Sequence, residues 1–100
     1  MAIAVIADIP SKEAYETVTE RMFGSKRPAE NPAGNIIHTA GEGPNGFRVV
    51  DVWESQEAFD NFMNEKVMPA MEEAGMDMPQ GPQPEIIDLI HVIVNEEARV

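Results

Sequence analysis

Gly46-Phe47-Arg48-Val49-Val50-Asp51-Val52-Trp53-Glu54-Ser55 reads as one strand running directly into the N-cap of a helix. Side chains alternate between the two faces of a strand, so Phe47, Val49, Asp51 and Trp53 share one face. Upstream, Gly43-Pro44-Asn45-Gly46 has the chemistry of a tight turn, because Pro fixes the first central φ and Asn tolerates the second. The segment before it, Asn35 to Glu42, is then the other arm of a hairpin, with Ile36, His38 and Ala40 on one face and Ile37 and Thr39 on the other. If Gly43 faces Gly46, His38 falls opposite Asp51 and Ile36 falls opposite Trp53. Cross-strand partners share a face, whereas a slip of one residue would part them.

The remaining elements follow from periodicity. Ala2 to Asp8 holds Ile3, Val5 and Ile6 in a nearly continuous apolar run, as expected of a central strand covered on both faces. Ser11 is an N-cap candidate, Glu13 suits the positive end of the helix dipole, and Tyr15, Val18, Thr19 and Met22 follow at helical spacing to a stop near Gly24. Ser25 to Gly34 is rich in Pro and Asn and reads as a surface loop. Ser55-Gln56-Glu57 opens a second helix whose stripe is Phe59, Phe62, Met63, Val67, Ala70, Met71 and Ala74, with Pro69 expected to kink or split it before Gly75 ends it. Met76 to Pro84 is a Pro/Gly-rich connection, Ile86 to Val94 a final strand, and Glu96 to Val100 a tail.

The order strand, helix, strand, strand, helix, strand is the split βαβ pattern. The predicted fold class is α+β: a ferredoxin-like βαββαβ domain with a four-stranded antiparallel sheet, filling residues 1–100 as a single domain. Both helices would cover one sheet face, and the other must be hidden. That second face is expected to carry Val49, Trp53 and Ile36 and to meet a second copy of the chain.

Composition narrows the partners. Eighteen acidic against seven basic residues give a net charge of −11, which repels a phosphate backbone, so nucleic acid is not an expected partner. The chain has no cysteine, which removes disulfides, thiolate metal sites and thiol nucleophiles and fits a reducing, cytoplasmic setting. Asp8 ends the apolar start of the chain well short of a membrane span, so no membrane partner is expected.

Arg48-Val-Val-Asp-Val-Trp-Glu-Ser55, with Glu57-Ala-Phe59 and Val67-Met-Pro-Ala70, resembles the small dimeric α/β-barrel proteins grouped with the antibiotic biosynthesis monooxygenases. The resemblance implies a homodimer in which two sheets form a barrel, each subunit keeping a pocket between sheet and helices. It spans monooxygenases that work without metal or flavin, haem-degrading enzymes and isomerases. In the cofactor-free monooxygenases a Trp at the end of the third strand and an Asn four residues before it belong to the pocket. Trp53 matches the first, while Val49 stands where the Asn would be. The haem-degrading members use a His on the second helix, and none occurs between Ser55 and Gly75, so haem is not expected.

Among single residues, His38 opposite Asp51 is the candidate catalytic pair, the carboxylate fixing the imidazole tautomer so that the ring can take a proton from a phenol or an activated carbon. The competing reading is a polar pair that simply satisfies itself. Trp53 is a candidate for stacking on an aromatic ligand, against the alternative of ordinary packing. Tyr15, with a polar tip on the buried side of the first helix, and His91 on the last strand are further candidates for substrate binding. A metal site from His38, His91 and Asp51 lacks any close-spaced signature, and neither metal nor other cofactor is expected. Two functions follow: a cofactor-independent enzyme of monooxygenase, cyclase or isomerase type acting on a small apolar or aromatic molecule, or a non-enzymatic binding or interaction module. A cavity lined by Trp53 and reached by His38 would favour the enzyme.

Overall fold

A computed structural model describes residues 1–76 and 84–95. Strand β1 (Ile3–Ile9) leads into helix α1 (Lys12–Phe23), then the hairpin β2 (Asn35–Gly43) and β3 (Gly46–Trp53). Helix α2 (Gln56–Phe62) continues through a π turn (Met63–Val67) into helix α3 (Met68–Glu73), and β4 (Glu85–Asp88) closes the order. The four strands form one antiparallel sheet in the order β2-β3-β1-β4. This arrangement, with helices flanking the sheet, is consistent with a ferredoxin-like α+β fold.

Local chemistry sets the element ends. Ser11 Oγ accepts the Ala14 N–H at 3.0 Å, and Gly24 adopts φ 74°, its N–H donating to the Glu20 carbonyl. Ser55 Oγ accepts the Ala58 N–H at 3.0 Å and starts α2. Pro69 splits the second helix as expected. Its ring would collide with the carbonyl four residues back, and the chain widens into the π turn just before it, with the Met68 N–H donating to the Met63 carbonyl.

The core lies between the sheet and the helices. Ile3, Val5 and Trp53 are buried together, with Ala58, Phe59 and Phe62 of α2 packed on them. Trp53 meets Phe59 edge-on at 5.8 Å and Phe62 at 5.1 Å between ring centroids. The face carrying Trp53 is therefore the one covered by the chain's own helices, and the expectation that it meets a second copy is corrected. Alternation decides which residues share a face, but only helix packing decides which face is covered. The uncovered face carries Ala4, Ile6, Ile37, Val50, Val52 and Ile87, so β1 is covered on one side only.

Two further expectations are corrected. His38 pairs with Asp51 and Gly43 with Gly46, but Trp53 faces Asn35 and Val52 faces Ile37, so Ile36 is the extra residue of a bulge. The last strand ends at Asp88, short of Val94. It pairs with β1 as far as Ile3, and the Leu89 N–H then donates to the Ala2 carbonyl. The tail at 96–100 and most of the 76–84 connection lie outside the described residues.

Candidate functional site

Three elements bring three polar side chains into one hydrogen-bonded chain. β3 places Asp51 on the helix-facing side, where it is 8 % exposed. β2 sets His38 opposite it, and His38 Nδ1 lies 2.8 Å from Asp51 Oδ1. The Thr39 N–H donates to the same oxygen at 3.3 Å. α1 then lays Tyr15 over the hairpin, its hydroxyl 2.5 Å from His38 Nε2. The Tyr15 ring is near parallel to the imidazole, 13° between planes and 6.0 Å between centroids, so the two rings meet end to end through this contact, and the Tyr15 ring lies 5.2 Å from the Phe47 ring between centroids.

With Asp51 ionised and His38 neutral, these contacts assign the protons. An ionised carboxylate only accepts, so His38 Nδ1 carries the hydrogen; in the neutral ring Nε2 is then an acceptor, and the Tyr15 hydroxyl donates to it. A nearly buried carboxylate is thereby supplied with an imidazole N–H and a backbone N–H, as burial of a charge requires. Burial pushes the Tyr15 phenol above its ordinary value, and the negative charge of Asp51 adds to this; a hydrogen bond from the Thr19 hydroxyl and the charge of Arg27 work the other way. Tyr15 therefore stays protonated at neutral pH.

The structure brings Tyr15, His38 and Asp51 together and leaves Trp53 and His91 apart from them. Trp53 is 1 % exposed in the core, two residues beyond Asp51 on the same face of β3, and its indole N–H finds no acceptor among the described residues. His91 is exposed beyond β4, at the sheet edge opposite β2. A depression of about 490 Å³ opens where the chain enters β2 and leaves β3, lined by Gly34, Glu54, Ser55, Ala58, Phe62 and Lys66 among others. Neither His38, Asp51 nor Trp53 lines it, so the hydrogen-bonded chain and this hollow are separate features. Among the described residues no three His, Asp or Glu side chains converge as a metal site would require.

Phe47, Thr19 and the Thr39 backbone belong to the site without having been singled out from sequence. A signal existed for Phe47, which shares a face with Asp51, and for Thr19, one helical turn beyond Tyr15. No protein-family model matches this chain, and no curated protein matches its sequence.

Proposed function

We propose that this protein is a cofactor-independent enzyme whose common step is removal of a proton from a small apolar or aromatic molecule, with His38 as the base and Asp51 orienting it. The observation that carries this reading is the unbroken series Tyr15 hydroxyl, His38 imidazole, Asp51 carboxylate, at 2.5 and 2.8 Å. A carboxylate behind an imidazole holds the productive tautomer and offsets the positive charge formed when the ring is protonated. The aromatic surround of Tyr15 and Phe47 suits a flat, apolar substrate. Proton removal alone serves an isomerase or cyclase; in a monooxygenase it would generate the carbanion that meets dioxygen. The resemblance to the antibiotic biosynthesis monooxygenase group supports the same range.

A homodimer forms part of this proposal. The uncovered sheet face, with Val50 42 % and Ile87 43 % exposed, is apolar enough to be stabilised by a second copy packed sheet to sheet, which would close the two sheets into a barrel.

The test is catalysed exchange of the α-hydrogens of β-tetralone, an enolisable aromatic ketone, in heavy water followed by proton NMR. Wild-type protein should accelerate exchange, and His38→Ala should lose about a hundredfold or more of it. Equal rates in the two proteins would remove His38 from the chemistry. They would leave the binding-module reading, which two observations favour: both ring nitrogens are already satisfied within the chain, and the hollow beside α2 is lined by neither Trp53 nor His38.

A further inference from the structure

We infer that Tyr15, not His38 itself, is the group that touches the substrate, and that the substrate is a neutral carbon or oxygen acid whose proton enters at the Tyr15 oxygen. This rests on the proton-transfer function proposed above and narrows it. His38 presents no unused lone pair: Nδ1 is committed to Asp51 and Nε2 receives the Tyr15 hydroxyl. The Tyr15 oxygen still has acceptor capacity. Having donated its one hydrogen to His38, the hydroxyl oxygen keeps its lone pairs, and its bond to His38 lies in a solvent-exposed part of the surface.

The step balances without a further reactant. The substrate C–H or O–H bond breaks as a new O–H bond forms on Tyr15, while the original Tyr15 O–H breaks and an N–H forms at His38 Nε2. The electron pair of the broken substrate bond stays behind as an enolate or phenolate. The imidazolium keeps its Nδ1 hydrogen on Asp51, whose carboxylate offsets the new charge. Because the two transfers are concerted, no free tyrosinate is needed, in keeping with a phenol that burial holds neutral. A neutral substrate is specified because Asp51 stands behind the site and the chain as a whole carries −11, both repelling an anion. The buried Phe47 ring backs the Tyr15 ring with apolar surface.

The experiment compares wild type, Tyr15→Phe and His38→Ala in the β-tetralone exchange assay, with folding checked by thermal unfolding. Tyr15→Phe should fall as far as His38→Ala, about a hundredfold or more. If Tyr15→Phe exchanges at or above the wild-type rate while His38→Ala is inactive, the substrate meets His38 directly; this inference is then overturned and the proposed function stands. If His38→Ala matches wild type, or wild type does not accelerate exchange, both are overturned. Two readouts are independent of these variants' turnover. The nitrogen resonance of His38 Nε2 should move in Tyr15→Phe, and an unmoved resonance removes Tyr15 from that atom. Fluorotyrosine at the chain's single tyrosine keeps the shape and acidifies the phenol, so an exchange rate indifferent to it also overturns the inference.

Discussion

Asp51 shows how one buried charge dictates its surroundings. A carboxylate placed on the covered face of a sheet must find donors, and the hairpin register delivers an imidazole directly across the strand and a backbone N–H one residue further on. Once His38 Nδ1 is committed to that carboxylate, Nε2 becomes an acceptor, and Tyr15 is the donor that α1 supplies. The pair was legible in the sequence because a turn with defined chemistry fixes the register over the few residues separating Gly43 from His38. Tyr15 was legible as a candidate but not as a partner of His38, since no local pattern states how a helix is rotated over a sheet. Burial of the Tyr15 phenol has a consequence for stability. Its folded-state pKa lies above the unfolded value of about 10. The stabilisation from this group is therefore fully present below about pH 10 and lost as pH rises through the folded-state pKa. In denaturant unfolding, wild type should lose stability through that alkaline window and Tyr15→Phe should lack this component. The tyrosinate absorbance of the single tyrosine should titrate above pH 10, and titration at or below the free-tyrosine value would contradict the burial described.

Helix α2 depends on how closely the chain just before β2 approaches it. Gly34 sits at φ 84°, its carbonyl accepting the Glu54 N–H at 2.9 Å, and a Cβ built there would lie 2.6 Å from the Ala58 Cβ. Gly34→Ala should cost about 1–2 kcal/mol for the left-handed backbone alone. Repulsion from Ala58 adds to this, so the thermal midpoint should drop and the Ser55 cap loosen. Ser55→Ala, which removes the acceptor for the Ala58 N–H, should cost about 1 kcal/mol without any such clash. The two effects are separable by chemical denaturation. Both capping serines and the break at Pro69 could be read from sequence because they are local events of one or two turns. The bulge at Ile36 could not. Inserting one residue into a ladder changes no propensity, and is decided by how the loop before β2 enters the sheet.

The whole molecule has a covered and an uncovered side. Trp53, Ile3 and Val5 lie beneath α2, while Ile6, Val50, Val52 and Ile87 form an apolar surface on the reverse of the same sheet. Beyond β4, Ile90 is 97 % and Ile93 81 % exposed, extending the apolar character past the sheet. Val50→Lys should place a charge in the proposed sheet-to-sheet contact and weaken self-association by about tenfold or more, measured by sedimentation equilibrium. A wild-type protein that sediments as a monomer would remove the dimer from the proposal. Order of elements, helix caps, the hairpin register from Gly43 back to His38 and the apposition of His38 with Asp51 were all inscribed along the chain, because each depends on neighbours close in sequence or on a turn that ties two segments together. Which side of the sheet the helices cover, and hence that Trp53 is core, that Tyr15 closes on His38 and that Ile6 and Val50 face outward, was settled only in three dimensions. Strand periodicity is symmetric between the two faces, and only the packing of distant helices breaks that symmetry.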